Sequence, residues 1–214
     1  VFTAGRFYGT ADFDPGSGTS SLTSAGSADV FVSKLDSSGS FVWAKSLGDV
    51  DSENATAIAV DASGNVHTVG NFKGTVDFDP SNLTNAKTAI GGTDGFIARY
   101  NSSTPDLAWV NTLGTSLNDE IIDVTSEATT NRLYYCYLST TSANGKSIGI
   151  ASAFFDGSNN SFGGTLTTTN NVSQNYPTAI AQNGLDVYYV GVFNDTVDFD
   201  PRSGVTVNLS NVVG

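Results

Sequence analysis

Paired carboxylates recur three times in this sequence, each time within the phrase Asp-Phe-Asp-Pro. The six acidic residues are Asp12, Asp14, Asp77, Asp79, Asp198 and Asp200. In an extended segment alternate side chains point to the same side, so the two aspartates of each phrase share one side and the phenylalanine takes the other. Two carboxylates on one side of a loop can begin a Ca²⁺ site, which is built from oxygen ligands. The sequence therefore names Ca²⁺ as a candidate cofactor and these six aspartates as candidate ligands.

The same phrase also has a structural interpretation. The second aspartate can cap the turn that is entered through the proline, because an Asp side chain readily accepts a hydrogen bond from the backbone two residues on. The phenylalanine would then fill space between repeated units. Because the phrase recurs in three units, we favour this structural role over metal binding.

A second acidic group, Asp49, Asp51 and Glu53, lies in the segment DVDSEN. It lacks the glycine and the terminal bidentate glutamate of an EF-hand loop. We therefore expect a solvated acidic loop here and not a metal site.

Residue types that commonly carry catalysis are scarce. His67 is the only histidine, and the matching positions in other units are the strand aromatics Phe2, Tyr134 and Tyr188, so we interpret it as a packing residue. Cys136 is the only cysteine, which excludes an intramolecular disulfide and leaves no second thiolate for a zinc site. No catalytic or cofactor-binding constellation emerges, and the sequence predicts a protein that is not an enzyme.

Composition narrows the classes of partner. The 214 residues carry a formal net charge of −12, which argues against nucleic acid, because phosphates are bound mainly by Lys and Arg. The chain has no apolar run of about 18 residues, so we expect no membrane span. It contains no Met and begins within a repeat, so we interpret it as a piece of a longer or processed protein. Its richness in Ser, Thr, Asn and Gly predicts an extracellular or cell-surface location.

Seven Asn-x-Ser/Thr sequons would mark exposed loops if the host glycosylates them. They begin at Asn54, Asn82, Asn101, Asn159, Asn171, Asn194 and Asn208. In a chain so rich in Asn and Thr such triplets also arise by chance, which is the interpretation that we favour.

Whole units of the sequence recur at a nearly constant spacing. The interval from Asp12 to Asp77 is almost the same as the interval from Trp43 to Trp109. Each unit contains short runs of β-branched and aromatic residues between clusters of Asp, Ser, Gly and Asn, which is typical of antiparallel strands. Within one repeat of the pattern the four predicted strands are Ala57–Val60, Val66–Phe72, Gly95–Tyr100 and Leu107–Leu113.

Two turns have a predicted mechanism. Gly39 and Gly64 can adopt positive φ, and Asp36 and Asp61 can bond the backbone two residues further on. The aromatic residues that we expect between neighbouring units are Trp43, Trp109, Phe31, Phe96, Phe7, Phe72 and Phe193.

Four antiparallel strands in a unit of about 60 residues predict an all-β fold, a β-propeller of four-stranded antiparallel blades. We expect residues 1–214 to form a single β-propeller domain or a segment of one, with units at approximately 1–65, 66–132 and 133–186 and a partial unit at 187–214. The chain thus carries about three and a half units. The third unit is degenerate, because it lacks the Asp-Phe-Asp-Pro phrase.

Three phrases carry a resemblance to a known family. GTADFDPG, DVFVSKLDSSGSFVWAKSLG and AIAVDASGNVHTVGNF resemble the SBBP-type, seven-bladed β-propeller repeat of secreted and surface-anchored prokaryotic proteins. The resemblance covers residues 1–113 and 178–201, whereas residues 131–172 depart from the pattern. It implies a structural and interaction scaffold and does not specify a ligand.

The function expected from these features is a non-enzymatic extracellular scaffold that assembles head to tail, into a fibre or surface layer, through incomplete blades. Its partners would be other copies of itself or flanking repeats. The alternative is a propeller module that binds polysaccharide or another cell-surface ligand, with or without Ca²⁺. A polysaccharide-active enzyme ranks third.

Overall fold

The computed structural model describes residues 1–81, 83–142, 145–157, 161–166, 176–184, 186–192, 197–198 and 208–209. Within these ranges every regular element is a β-strand, and all strand pairings are antiparallel. The all-β prediction is therefore confirmed. The described part of the chain contains no helix that is long and apolar enough to cross a membrane.

The strands of these ranges follow one another in chain order, and many are rich in β-branched and aromatic residues. They are β1 (Phe2–Asp12), β2 (Ser21–Leu35), β3 (Phe41–Leu47), β4 (Asn54–Val60), β5 (Val66–Phe72), β6 (Thr75–Asp77), β7 (Ala86–Thr88), β8 (Asp94–Tyr100), β9 (Leu107–Leu113), β10 (Asp119–Glu127), β11 (Arg132–Ser142), β12 (Gly145–Phe154), β13 (Ser161–Leu166), β14 (Tyr176–Asn183), β15 (Asp186–Val192), β16 (Val197–Asp198) and β17 (Asn208–Leu209).

These strands form four principal sheets. Sheet I has the order β1-β2-β3, sheet II has the order β4-β5-β8-β9, sheet III is the meander β10-β11-β12-β13, and sheet IV is the pair β14-β15. The pairs β6-β7 and β16-β17 are separate short ribbons. Sheets II and III thus have the predicted four antiparallel strands.

The four strands predicted between Ala57 and Leu113 are close to the structure. The second and fourth strands, Val66–Phe72 and Leu107–Leu113, match to the residue, and the first strand begins earlier than predicted, at Asn54. The sheets are out of phase with the units defined from the sequence, because sheet II spans residues 54–113.

Both predicted turns are confirmed. Gly39 and Gly64 have φ values of 84° and 80°. Asp36 Oδ1 accepts a hydrogen bond from the Ser38 amide at 2.8 Å, and Asp61 Oδ1 accepts one from the Ser63 amide at 2.9 Å. Side-chain capping and glycine therefore form these hairpin connections, as turn chemistry predicts.

Apolar contact between neighbouring sheets forms the core. Sheets I and II share a cluster of buried side chains on their facing surfaces. Its members are Val30, Val32, Trp43, Leu47, Ala55, Val66, Phe72, Val76, Phe78, Phe96, Ala98, Tyr100 and Val110. Strand alternation sends the neighbouring residues Val69 and Ile97 to the opposite face of sheet II, where they pack on sheet III. Sheet II is therefore apolar and covered on both faces.

The next two junctions follow the same plan. Sheet III meets sheet II through Ile121, Val124, Leu133, Tyr135 and Tyr137, with Trp109 packed against this cluster. Leu138 and Ile148 on the other face of sheet III pack with Tyr189 of sheet IV. Contact thus runs from each sheet to the next along the chain.

The predicted inter-unit aromatic core is confirmed for four residues, and the described residues place no neighbouring sheet against two others. Trp43, Phe72 and Phe96 lie between sheets I and II, and Trp109 packs between sheets II and III. Phe7 and Phe31 pack with each other on the outer face of sheet I, away from sheet II. The repeat pattern places them on the face that meets a preceding sheet, and no sheet of the described residues lies there. Phe193 lies outside the described residues.

Truncation of Phe78, the phenylalanine of the second Asp-Phe-Asp-Pro phrase, tests how much stability the packing between sheets supplies. Phe78 is 1% exposed and sits 5.0 Å and 5.3 Å, ring centroid to ring centroid, from Phe96 and Phe72. Phe78→Ala should lower the free energy of unfolding by about 3–5 kcal/mol through lost burial and a residual cavity. The matched control is Phe13→Ala, since half-buried Phe13 occupies the same place on the outer face of sheet I, and its loss should be less than half as large. Urea unfolding measures both, and equal losses would contradict stacking as the main source of stability.

Candidate functional site

The aspartates of the second Asp-Phe-Asp-Pro phrase bond the backbone of their own loop. Asp77 Oδ1 accepts hydrogen bonds from the amides of Asp79 at 3.0 Å and Asn85 at 2.8 Å. Asp79 Oδ1 accepts one from the Ser81 amide at 2.9 Å. These bonds close the loop that joins β6 to β7, and the phenylalanine between the aspartates points into the core.

The first phrase repeats this arrangement. Asp12 Oδ1 accepts from the amides of Ser20 at 2.8 Å and Asp14 at 3.1 Å, and Asp14 Oδ1 accepts from Gly16 at 2.8 Å. The Ser20 amide, followed by that of Asp14, holds the pKa of the Asp12 carboxyl below its ordinary value. In the third phrase the Asp198 backbone pairs with Asn208, whereas the Asp198 side chain and Asp200 lie outside the described residues.

Bonding to the backbone supports the structural interpretation of the phrase for its first two copies. Among the residues that the structure describes, no group of three or more His, Cys, Asp or Glu side chains is placed to hold a metal ion. Ca²⁺ binding by these aspartates stays a prediction.

The acidic segment DVDSEN is solvated in part, as we expected, with Val50 and Ser52 exposed, but the expectation is wrong for Glu53. Glu53 is only 1% exposed, and its Oε2 accepts a hydrogen bond from the Asp49 amide at 3.0 Å. The Glu53 side chain turns inward because it closes the link between β3 and β4. Asp51, which is partly exposed, pairs with Lys73 Nζ at 2.9 Å.

Glu53 belongs to a pair of buried carboxylates at the boundary between sheets I and II. Its partner is Asp29 of β2, 2% exposed, whose Oδ2 accepts from the Ala25 amide at 2.9 Å. The Glu53 amide in turn donates to the Ala28 carbonyl at 2.8 Å. The backbone bond from Glu53 to Ala28 therefore ties the β3–β4 link to sheet I, while each carboxylate bonds the backbone of its own segment.

The boundary between sheets II and III contains an equivalent pair, Asp94 and Asp119, both buried. The Asp119 amide donates to the Thr93 carbonyl at 2.7 Å, and its Oδ2 accepts from the Thr115 amide at 2.6 Å. Gly114, like Gly48 in the first pair, gives the carboxylate its space, because a Cβ on Gly114 would lie 1.9 Å from Asp94 Oδ2. Each pair is thus a built feature of its boundary.

These pairs leave carboxylate oxygens without hydrogen-bond partners in the interior. Asp29 Oδ1, Glu53 Oε1 and Asp94 Oδ1 are all buried and unpartnered. Burial first, and then the charge of Asp29, raises the pKa of the Glu53 carboxyl to about 7. Burial also raises the pKa of Asp94, with a smaller contribution from Asp119. At neutral pH part of the Glu53 population holds a proton, which reduces the repulsion between the two acids.

The role of the buried pairs was missed from sequence. The spacing of the repeat already matched Asp29 with Asp94 and placed Glu53 and Asp119 in matching linkers. The signal that could have found the pairs is this recurrence of two acids in both units at once. Acidic residues in polar loops ordinarily face solvent, so composition predicted exposed side chains at these positions.

His67 is a packing residue, as its position in the repeat predicts. The ring is fully buried and lies near Trp109 and Phe155, at centroid distances of 5.8 Å and 5.4 Å. Its Nε2 lies at hydrogen-bond distance from Asp61 Oδ2, 3.2 Å away. Burial lowers the pKa of His67 to about 4 against the opposing pull of Asp61. A ring so enclosed is neutral at pH 7 and has no access to a substrate.

Cys136 is likewise enclosed. Burial raises the pKa of its thiol to about 12, with Asp123 adding to the effect. A thiol in this state carries almost no thiolate at neutral pH and is a poor nucleophile.

A cleft of about 400 Å³ opens beside His67 between sheets II and III. Arg99 lies on its wall, with Nε 3.5 Å from Asp61 Oδ2. The matching residue of sheet I, Lys34, donates to the Ser102 carbonyl of sheet II at 2.7 Å. The position therefore supplies a basic side chain at the junction of sheets I and II and at the junction of sheets II and III.

Two of the seven sequon asparagines have described side chains. Asn54 lies in strand β4 and Asn101 follows β8, and both are half-buried. Asn54 lies in a paired strand and not in a loop, because its backbone pairs with Asn71. Asn208 contributes its backbone to β17. The remaining sequon residues, Asn82, Asn159, Asn171 and Asn194, lie outside the described residues.

The raised pKa of Glu53 predicts how stability changes with pH. A folded Glu53 holds its proton up to about pH 7, whereas the ordinary value is 4.5, so stability from this group is fully present below pH 4.5 and falls as pH rises to 7. Glu53→Gln removes this dependence. The variant should equal the wild type below pH 4.5 and exceed its free energy of unfolding by roughly 1–3 kcal/mol above pH 7.

Urea unfolding across this pH range measures the difference, with Glu120→Gln in β10, next to the equivalent residue Asp119, as a control. The lowered pKa of His67 acts in the opposite direction, because it reduces stability as pH falls from 6.5 to 4. The wild type and the Gln variant both contain His67, so its contribution cancels in the difference between them. A Gln variant that loses stability above pH 7 would contradict the assignment.

Substitution of Asp77 separates the structural and metal interpretations of the phrase. Asp77→Asn keeps an oxygen acceptor for the amides of Asp79 and Asn85 and should be nearly neutral, whereas Asp77→Ala should lose roughly 1–3 kcal/mol. If Ca²⁺ binds here, calcium should raise the thermal midpoint of the wild type and not that of Asp77→Asn. Calorimetry with calcium and with chelator gives the answer, and an Asn variant as unstable as the Ala variant without metal would contradict the capping role.

Comparison with known proteins adds no relative to this picture. A scan against protein-family models and a search of curated proteins both found no match. The resemblance to the SBBP-type repeat therefore stays a prediction that rests on the phrases themselves.

Proposed function

We propose that the chain is part of a non-enzymatic, extracellular or cell-surface scaffold built from β-propeller-type blades, which associates with further repeats or further copies of itself. The observation that carries the proposal is the two-sided packing of the sheets. Sheet II buries Phe72 and Phe96 on one face and Val69 and Ile97 on the other. A sheet of this kind is stable only between two neighbours.

The unpaired edge of sheet I supports association with other repeats. In sheets II, III and IV an outer strand, β4, β10 or β14, pairs with the strand that corresponds to β1. Among the described residues no strand takes that position beside β1. An unpaired edge presents a row of backbone donors and acceptors that favours addition of another strand.

The burial of the histidine and the cysteine, residue types that often act in catalysis, supports a non-enzymatic role. The His67 imidazole and the Cys136 thiol are both fully buried, and their pKa values are shifted away from reactivity. Their environment is that of core side chains.

Polysaccharide or another cell-surface ligand is the alternative partner, with the cleft between sheets II and III as its place. Arg99, Phe154 and Phe155 line this cleft. Aromatic and charged groups together are suited to sugar rings and their substituents.

Sedimentation velocity at increasing protein concentration, with negative-stain microscopy, tests the scaffold. We expect species larger than the monomer that grow in number with concentration, since apolar faces and a strand edge are available for contact. A chain that stays monomeric at every concentration would contradict the proposal. Denatured and refolded protein provides a control, because specific association returns with the fold whereas aggregation does not.

A further inference from the structure

The stacked sheets use two distinct kinds of face. We call the face that packs on the next sheet along the chain the trailing face, and the face that packs on the preceding sheet the leading face. At the first internal junction the trailing face of sheet I, with Val30 and Val32, packs on the leading face of sheet II, with Phe72 and Phe96. The other two junctions join the same two kinds of face.

The leading face of sheet I matches that of sheet II residue for residue. Phe7, Phe13 and Phe31 hold the positions in the first unit that Phe72, Phe78 and Phe96 hold in the second, at one constant spacing. Their rings contact one another in the same way, with Phe13 centred 5.4 Å from Phe7 and 4.9 Å from Phe31.

Coverage of these two faces differs. The three rings in sheet II are 0%, 1% and 0% exposed, whereas Phe7 is 7% exposed and Phe13 and Phe31 are only half-buried. Thr3, on the same side of β1 as Phe7, is exposed, while its equivalent Thr68 is fully buried. Phe7 belongs to none of the apolar clusters that the described residues form between sheets. The leading face of sheet I is therefore built for a neighbour and lacks one here.

The trailing face of sheet IV is also exposed. Tyr188, Val190 and Val192 alternate along β15 and are 57%, 61% and 45% exposed. Their equivalents in β5 are His67, Val69 and Asn71, of which the first two are fully buried against sheet III. Tyr189, on the other side of the strand, packs on sheet III. Three adjacent large apolar side chains in water mark an interaction surface.

We propose that the trailing face of sheet IV in one copy binds the leading face of sheet I in a second copy of this chain. The inference rests on the proposed scaffold function and names the surfaces that carry it. The chemistry resembles that of the first internal junction, where Phe2 and Ala4, the equivalents of Tyr188 and Val190, pack with Val30 and Val32 against a cluster of three phenylalanines. Tyr188, Val190 and Val192 supply the apolar side chains of the trailing face, and Phe7, Phe13 and Phe31 supply the cluster. Because the two surfaces differ, the contact is heterologous, and each added copy leaves one face of each kind free.

Two single substitutions block the two faces separately. Thr3→Lys places a charge on the leading face, and Val190→Lys places one on the trailing face. Both positions are exposed in the chain, so neither variant should impair folding, which circular dichroism verifies. Ile90→Lys is the matched control, since Ile90 is 72% exposed and lies in neither face.

The decisive measurement is sedimentation of each variant alone and of equimolar mixtures. Wild type and Ile90→Lys should associate alike. Thr3→Lys and Val190→Lys should each associate at least about tenfold more weakly, because a Lys would be buried without a partner in the contact. Mixed together they should form a one-to-one dimer and nothing larger, because one retains the trailing face and the other the leading face.

The outcomes distinguish this inference from the scaffold proposal. If the wild type associates and both Lys variants associate equally well, the faces are not the contact, and the scaffold stands through another surface. If each variant is monomeric alone and the equimolar mixture is monomeric as well, the two faces do not bind each other and the inference fails. If the wild type never associates, the scaffold proposal and this inference fail together.

Discussion

A β-sheet that is apolar on both faces needs a neighbour on each side, and the rest of this structure follows from that constraint. Sheet II shows it in full, with Val66, Phe72 and Phe96 on one side and Val69 and Ile97 on the other, all at most 2% exposed. A lone sheet of four short strands would leave half of these side chains in water. At about 25 cal/mol per Å² of apolar surface, such exposure exceeds what a few strand pairings can offset. Stability therefore resides in the junctions between sheets more than within any one sheet.

The junctions also contain polar groups that set the spacing and register of the stack. Apolar contact is non-directional, so it cannot by itself decide how one sheet follows the next. Backbone hydrogen bonds at the buried acids supply direction, since the Glu53 amide donates to the Ala28 carbonyl and the Asp119 amide donates to the Thr93 carbonyl. Burying two carboxylates together is unfavourable unless one holds a proton or their oxygens are hydrogen-bonded. The Asp94–Asp119 pair relies on hydrogen bonds from Thr115 and Ser139, whereas the Asp29–Glu53 pair has fewer donors and a carboxyl whose pKa is about 7. The two equivalent pairs thus reduce the repulsion between buried carboxylates differently, one mainly through hydrogen bonds and the other through a carboxyl with a raised pKa.

Periodicity and turn chemistry predicted the local elements well, because both are short-range. The bounds of β5 and β9, and the turns at Gly39 and Gly64, depend on residues close in sequence. The burial of individual side chains was predicted less well, because it depends on which sheet lies next to them in the folded chain. Phe7 follows the same pattern as Phe72, yet only the latter lies beneath another sheet. Glu53 sits in a polar segment, and only the tertiary path of the chain shows that its side chain turns inward.

Repetition also explains why the end faces of the stack are informative. A repeated unit encodes its contacts twice, once on each face, so a unit at either side of the stack carries the same kinds of face as an internal one. An exposed side chain such as Val190 can then be interpreted from its equivalent Val69, which is fully buried. Because leading and trailing faces are different surfaces, the contact that we propose between copies has no twofold symmetry and would not saturate at a dimer. A stack built in this way would grow until a ring closes, until another protein covers an end, or until a degenerate unit no longer offers the matching face.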